Sequence, residues 1–457
     1  MTAVLKSVAQ LEETIVAVAT PSGRGALALV RLSGPDAFAI AGKHLQPSPS
    51  QHRVTQLCHV YDCEQVLDEA LVTLFPGPNS FTGDDTVELS THGGYLVPSS
   101  VVAALISSGA RQALPGEFTR RAVLNGKLDI LQAEAIGDLI DARSHAMQRT
   151  ALGQLDGGLS RRLLRLRDSL IELEALIVYD IDFPEEDDGP VPRERVEGTA
   201  VELIASLKSL LATAPVGELI REGALVVIAG PPNAGKSSLF NALLGKSRAI
   251  VTEIPGTTRD ALEAVIDSGG WPLRLVDTAG LRDTNDRIER LGIEVSERYL
   301  AGAHVVLACA ETPESLEKTM TVIARSSSAP ILPVHTKADL VSKGDNNIWP
   351  RPSIAVSAET GVGLQDLLAA VDEVLSTEHG EIVPDLPVLT RARHHHALST
   401  ARSEVEQFHR AWGEKNLPAT IASVHLRAAT AALEELIGTV DVEDVFDRVF
   451  SSFCVGK

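Results

Sequence analysis

The chain has 457 residues, with 61 Asp and Glu against 41 Lys and Arg, for a formal net charge of −20. Length alone predicts roughly two to four domains, the 44% apolar fraction excludes a disordered chain, and the acidity argues against a broad basic nucleic-acid face while leaving room for a local basic patch. The four cysteines, Cys58, Cys63, Cys309 and Cys454, form no C-x-x-C pair, which excludes the usual zinc spacing and suits a reducing cytoplasm.

In chain order, Met1–Glu13 lacks the apolar core of a signal peptide. Thr14–Ala19, Ala26–Leu32, Ala70–Phe75 and Thr86–Ser90 read as strands, punctuated by turns such as Pro21-Ser22-Gly23, and predict an α+β domain over 1–126. Proline is then absent between Pro115 and Pro184, and Leu128, Leu131, Ala135, Leu139 and Ala142 recur at helical steps. Leu163, Leu166, Leu170, Leu173 and Ile177 do the same, so 127–221 is read as all-α, with Asp180–Asp188 a solvated helix end or loop. From 222 to 378 the pattern alternates. Leu225–Ala229, Leu273–Val276, Val305–Ala308, Ile331–Val334 and Ile354–Val356 are buried-strand candidates separated by helical stretches, predicting a mostly parallel sheet covered on both faces. The remainder, 379–457, is helical again. The simplest architecture is an α/β domain inserted into a helical domain. No run of ~18 apolar residues is seen, so no membrane span is expected.

The inserted stretch carries the chemistry. Gly230-Pro-Pro-Asn-Ala-Gly235-Lys236-Ser237 is a full G-x-x-x-x-G-K-S between a strand and a helix, the context in which backbone N–H groups wrap phosphates. Lys236 supplies a positive charge to the β/γ-phosphates and Ser237 a Mg²⁺ ligand. Asp277-Thr278-Ala279-Gly280 follows a strand, placing Asp277 towards Mg²⁺ through water and the Gly280 N–H towards the γ-phosphate. Thr336-Lys337-Ala338-Asp339 puts a carboxylate where it accepts two hydrogen bonds from guanine, a pattern adenine cannot donate. Ser357-Ala358-Glu359 supports the base. Asn233, Ala234 and Ser238 complete the predicted nucleotide contacts with Thr252-Glu253-Ile254-Pro255-Gly256-Thr257-Thr258, a switch in which Thr258 is the second protein ligand to Mg²⁺ when the loop closes. Leu281 stands where many GTPases have a water-positioning glutamine.

Gly256-Thr257-Thr258-Arg259-Asp260, Asn233 within the P-loop and the terminal Phe453-Cys454-Val455-Gly456-Lys457 resemble the MnmE (TrmE) family of tRNA uridine-modification GTPases. The resemblance runs the full length, through Gly23-Arg24-Gly25, Val30-Arg31-Leu32-Ser33-Gly34, Phe75-Pro-Gly-Pro-Asn-Ser-Phe-Thr-Gly83, His92-Gly93-Gly94, Pro115-Gly116-Glu117-Phe118 and Lys127-Leu128-Asp129. It implies a multidomain α+β and α/β protein. A folate-binding and dimerisation domain occupies 1–126, the helical domain 127–221 and 379–457, and the P-loop GTPase domain 222–378. It implies a cytoplasmic, homodimeric, K⁺-dependent GTPase. With a flavin- and NADH-dependent partner, in a hetero-oligomer, it would add an aminomethyl-type group to carbon 5 of the tRNA wobble uridine, using a 5-formyl- or methylene-tetrahydrofolate. By the same resemblance Asn233, Thr257 and the backbone of Thr252 and Ile254 hold K⁺. Ser237 and Thr258 hold Mg²⁺, Glu289 orients the hydrolytic water, Arg31, Glu88, Lys127 and Lys457 contact the folate, and Cys454 is a candidate nucleophile. Thr336 in place of Asn and Ala26 in place of a commoner glycine depart from the pattern.

Plainer readings stand beside these. Arg31 and Glu88 are equally compatible with exposed strand positions, Lys127 with an ordinary helix-start lysine, Glu289 with a solvated residue, and Cys454 with a packing residue. His394-His395-His396 is read as a solvated helix face, since adjacent histidines on a helix diverge. Cys58 and Cys63 read as core or surface thiols. The rival function is a non-catalytic, GTP-gated assembly factor, for example on ribosomes, for which Arg31, Glu88 and Lys127 together would have no use.

Overall fold

A computed structural model of the chain describes residues 12–182, 192–246, 262–278, 297–340, 349, 352–383, 386–413, 419–438, 449–450 and 453–456. The chain divides into two compact units, Met1–Gly137 with Ile437–Lys457, and Asp138–Leu436.

The first unit is built on a seven-stranded sheet ordered β3-β4-β5-β6-β2-β1-β7. Its strands are β1 (Ile15–Val18), β2 (Leu27–Ser33), β3 (Leu45–Gln46), β4 (Gln56–Asp62), β5 (Gln65–Phe75), β6 (Thr86–His92) and β7 (Arg111–Gln112). All neighbours are antiparallel except β1 and β7. Alternation fixes the faces: Val30, Leu32, Val60, Val72, Val87 and Leu89 point into one core beside Val101 and Leu105 of the helix Leu96–Ser107. Arg31 and Glu88 lie on the opposite face. β4 is absent from the sequence expectation, and β5 starts at Gln65 rather than Ala70. Both depend on pairing with each other, which no local pattern records. The helices α3 (Glu117–Leu124) and α4 (Ile130–Asp141) follow α1 (Ala37–Gly42) and α2 (Leu96–Ser107).

In the second unit the helical part comprises α5 (His145–Leu155), α6 (Gly158–Asp182), α7 (Arg193–Leu211), α8 (Ala214–Glu222), α12 (Ala392–Gly413) and α13 (Ala419–Ile437). The Ser144 hydroxyl caps α5 by accepting from the Met147 N–H at 3.1 Å. α7 packs against both α6 and α12, burying the predicted stripe Leu163, Leu166, Leu170, Leu173 and Ile177. Arg193–Glu222 is long and apolar enough to be weighed as a membrane span, which the sequence expectation overlooked. It is two helices separated at 212–213, and Val196, Ala200, Leu203, Leu207 and Leu210 are core. The histidine triplet also differs from expectation. His394 is 1% exposed and turns inward with Leu398 and Ala401, while His395 and His396 face solvent.

The remaining part is a six-stranded sheet ordered β13-β12-β11-β8-β10-β9. Its strands are β8 (Ala224–Ala229), β9 (Leu262–Asp267), β10 (Pro272–Asp277), β11 (Val305–Ala310), β12 (Ile331–His335) and β13 (Ile354–Ala355). Five are parallel, as the apolar runs predict. β9 is an unforeseen antiparallel edge strand. Helices α9 (Lys236–Lys246) and α11 (Leu364–His379) cover one face through Leu239, Phe240, Leu243, Leu367 and Val371. Helix α10 (Pro313–Ser326) covers the other through Leu316 and Ile323. The β9–β10 hairpin is tied down at its turn. Asp267 accepts from the His145 N–H at 2.9 Å, and Asp372 on α11 accepts from Ser268 Oγ at 2.9 Å and the Trp271 N–H at 3.0 Å. A Cβ on Gly270 would stand 2.8 Å from the Asp372 carboxylate, so a side chain there would have to displace the carboxylate that holds the turn.

Candidate functional site

The P-loop runs from the end of the fully buried strand β8 into α9. Gly230 has to be glycine, because a Cβ there would lie 2.3 Å from the Cys309 carbonyl at the end of β11. Asn233 (φ 61°) and Gly235 (φ 76°) take left-handed backbone, which turns the loop. Asn233, Ser237 and Ser238 are exposed, Ala234 is buried, and Lys236 is buried with its Nζ donating to the Pro231 carbonyl at 2.8 Å. The ammonium is therefore held inside the loop it serves.

Asp277 ends β10 with 0% exposure, and its carboxylate accepts from the Ser237 hydroxyl at 2.5 Å. These are two hard oxygen donors at a phosphate-binding loop, the donor set that Mg²⁺ selects. Thr278 is fixed beneath them by donating to the Ile228 carbonyl at 2.9 Å. Behind the loop, burial pushes the Cys309 thiol up to about 12, so this cysteine is inert packing.

The base-recognition segment sits beside the P-loop. Thr336 is buried and donates to the Ala310 carbonyl at 3.1 Å, so the hydroxyl that replaces the usual asparagine secures the end of β11. Thr336 Cβ and Lys337 Cε lie 3.6 and 3.9 Å from where a Gly235 Cβ would be, which packs this segment directly on the phosphate loop. Lys337 (φ 56°) pairs with Glu311. Asp339 is exposed on the short 3₁₀ turn Ala338–Leu340. The neighbouring loop is held by the Ala338 N–H on the Val356 carbonyl at 3.0 Å, with Ser357 buried and Glu359 exposed. Thr252, Glu253, Ile254, Pro255, Gly256, Thr257, Thr258, Ala279, Gly280 and Glu289 lie outside the described residues.

In the first unit, register places Arg31 directly opposite Glu88. Arg31 Nε and NH2 donate to Glu88 Oε1 at 2.9 and 2.8 Å, with side chains 18% and 25% exposed. Neither is the exposed strand residue that local alternation permits. Phe81 and Phe118 lie 5.2 and 5.7 Å from the guanidinium and form an aromatic wall over it. Sequence reasoning gave these phenylalanines no role, although both fall inside motifs it singled out. Lys127 is exposed and makes no side-chain contact with Arg31 or Glu88; its loop is moored by Asn125, which donates to the Thr82 carbonyl at 2.8 Å.

The chain end returns to this unit. The Gly116 N–H donates to the Cys454 carbonyl at 3.4 Å, Val455 bridges Pro115, and a Cβ on Gly456 would meet the Val18 carbonyl at 2.4 Å. Val18 is one position along β1 from Ala17, which pairs with Arg31. Cys454 is exposed, and Lys457 lies outside the described residues. Glu117, at the start of α3, organises the turn beneath the tail. Burial works to raise its carboxyl, but hydrogen bonds from Arg111 and the Leu114 N–H, with the charges of Arg111 and Arg121, bring it below its ordinary value.

A family model described as the MnmE helical domain matches residues 130–454, and one described as the GTP-binding protein TrmE N-terminus matches 14–127. A protein named tRNA modification GTPase MnmE from Moorella thermoacetica is 39% identical over 464 residues, covering 98% of this chain and 100% of that protein. Its namesake from Aquifex aeolicus is 38% identical over 451 residues, covering 98% and 100%. That from Akkermansia muciniphila is 42% identical over 463 residues, covering 98% and 99%. With the phosphate loop, the buried Asp277 and the Arg31–Glu88 pair in place, these full-length matches lead to one conclusion: the chain belongs to the MnmE family of tRNA modification GTPases.

Proposed function

We propose that this chain hydrolyses GTP to drive modification of carbon 5 of the tRNA wobble uridine, in the cytoplasm, as a homodimer joined to a flavin- and NADH-dependent partner. The reading is carried by the Ser237–Asp277 pair at the mouth of the P-loop, in a chain of this family. Ser237 and Thr258 hold Mg²⁺, with Asp277 behind them. Bound there, the metal neutralises charge on the phosphates. Lys236 steadies the β/γ-phosphates, Gly280 contacts the γ-phosphate, Asp339 selects guanine, and Glu289 aligns the attacking water in place of the glutamine that Leu281 displaces.

Asn233, Thr257 and the carbonyls of Thr252 and Ile254 form the K⁺ site. The left-handed backbone at Asn233 supports this by turning that exposed side chain out of the loop's interior. A cation beside the β/γ-phosphates replaces an arginine finger, a charge worth ~10³–10⁵ in rate. Arg31, Glu88, Lys127 and Lys457 bind a tetrahydrofolate, with Phe81 and Phe118 as its aromatic wall. Domain roles follow the sequence divisions: folate and dimerisation in 1–126, GTP hydrolysis in 222–378, and the helical domain in 127–221 and 379–457. The decisive measurement is GTP turnover at matched ionic strength in KCl and NaCl, paired with calorimetric binding of 5-formyl-tetrahydrofolate to wild type and Arg31→Ala. K⁺-selective turnover and folate binding lost in the variant are expected. Equal turnover in the two salts overturns the K⁺ site, and folate binding that ignores Arg31 overturns the folate site.

A further inference from the structure

The stretch from Arg143 to Arg167 holds six arginines, no lysine and one carboxylate, Asp156, a local charge of +5 in a chain whose total is −20. It forms the hairpin of α5 and α6. With 61 acidic residues against 41 basic ones, an arginine here has carboxylates in excess, and several arginines elsewhere use them: Arg221 and Arg391 share Asp138, Arg274 pairs with Glu263, and Arg427 with Glu174. On this hairpin Arg161 meets Asp156 at 3.7 Å and Arg167 meets Asp168 at 2.9 Å, but among the described residues Arg149, Arg162 and Arg165 meet no carboxylate. Arg165 is exposed and donates only to the Arg161 carbonyl of its own helix. Arg162 reaches only Ser209 Oγ, at 3.4 Å. Arg149, exposed on α5, reaches only the His145 carbonyl. Arg161 has a structural task, donating to the carbonyl of Asp156 at the C-terminus of α5.

The placement opposes local stability. Arg161 and Arg162 stand at the fourth and fifth positions of α6, at the end of its first turn, where the helix dipole disfavours positive charge, and that turn holds no acidic residue. Arg161 and Arg165, at i and i+4, repel on one face. A solvated helix face needs none of this, since mixed charge serves solubility better. Arginine rather than lysine is the side chain whose planar fork matches phosphate oxygens.

We propose that the α5–α6 hairpin, through Arg162 and Arg165 on α6 and Arg149 on α5, is a phosphate-contacting surface for RNA. It rests on the reading of this chain as a tRNA-modifying GTPase and assigns that substrate a docking face. The test uses the full-length protein and a fluorescein-labelled tRNA transcript carrying uridine at the wobble position, with affinity measured across a salt series. In Arg162→Gln/Arg165→Gln the dependence of log K on log salt becomes shallower by about 1.8, and affinity at 0.15 M salt falls roughly 30-fold, at ~0.9 per phosphate contact. The variant melts no lower than wild type, because Arg162 opposes the helix dipole and Arg165 is repelled by Arg161. Arg162→Lys/Arg165→Lys keeps most of the salt dependence. An unchanged slope and affinity in the glutamine variant overturns the proposal. So does a variant that binds tRNA normally but no longer binds the flavoprotein partner, which would make the face a protein interface. Wild type that binds no tRNA at any salt concentration overturns the tRNA reading itself, an outcome distinct from either.

Discussion

Replacing Glu117 by glutamine should loosen the segment on which the chain terminus rests. Its carboxylate receives Arg111 NH2 and NH1 at 2.7 and 3.1 Å, the Leu114 N–H at 2.8 Å and Arg121 NH2 at 3.2 Å. An amide can retain two of these and presents its own N–H groups to the rest. Arg111 is 32% exposed and keeps Glu13, so water and a second carboxylate soften its loss. Arg121 is 1% exposed, with Asp84 at 3.7 Å, and bears most of the cost. Removing one partner of a buried ion pair costs about 3–5 kcal/mol, and the solvated half of this network places the expectation near the lower end, about 3 kcal/mol. At ~2–4 °C per kcal/mol for a unit of this size, the first unit should melt roughly 6–12 °C lower at pH 7. The native carboxyl lies below its ordinary value, so its stabilisation is complete above the unfolded value near ~4.3 and lost as pH falls through the folded one. The gap between variant and wild type should therefore close in acid. Calorimetry from pH 3 to 8 reads both effects. A gap under ~2 °C at pH 7, or one that persists unchanged at pH 3, would refute the reasoning.

Other outcomes follow from single contacts. Asp339→Asn should weaken GTP by at least tenfold and relax base choice, because the amide donates where guanine also donates; fluorescent GTP and ATP analogues measure it, and unaltered selectivity would remove Asp339 from base recognition. Burial and the nearby charges of His379 and Arg274 lower the His304 pKa, and its Nδ1 accepts from the Leu225 N–H at 2.9 Å. Between the unfolded value near ~6.5 and the lower folded value the unfolded chain binds the extra proton, so stability should fall as pH drops through that window. His304→Gln should flatten the fall, and an equally steep pH dependence of melting in the variant would contradict this. Iodoacetamide on the native protein should modify Cys63 and Cys454 and spare Cys58 and Cys309, whose thiols are buried and raised; peptide mass spectrometry showing early label on Cys309 would mean that the sheet opens beside the phosphate loop.

The parts of this protein legible in sequence are those whose chemistry is contiguous. A phosphate loop must follow a strand and open a helix, so Gly230–Ser237 announces its surroundings. The parallel strands read easily because burial on both faces makes them continuous apolar runs, as in β8 and β11. Sequence alone could not join Arg31 to Glu88, since only the β2–β6 register sets them opposite each other. Nor could it find Phe81 and Phe118 above them, which arrive from the loop before β6 and from the first turn of α3. β9 escaped because Leu262–Asp267 alternates weakly and is recognisable as a strand only beside β10. His394 departs from the solvated-face reading because the divergence of adjacent helical positions, which argues against a metal cluster, also turns one of the three inward.

The β9–β10 hairpin carries a constraint of another kind. Its six paired positions run from Leu262 opposite Asp277 to Asp267 opposite Pro272. That is a strut of about 20 Å at ~3.3 Å per residue, with the Asp277 carboxylate that meets Ser237 at one end and the His145 contact of α5 at the other. Its length is quantised. Loss of one residue from either strand would turn every following side chain to the opposite face and draw Asp267 away from His145, or Asp277 from Ser237. Over evolutionary time this hairpin should accept substitutions far more readily than insertions or deletions, and a single-residue deletion should uncouple the helices from the nucleotide site even where both parts still fold.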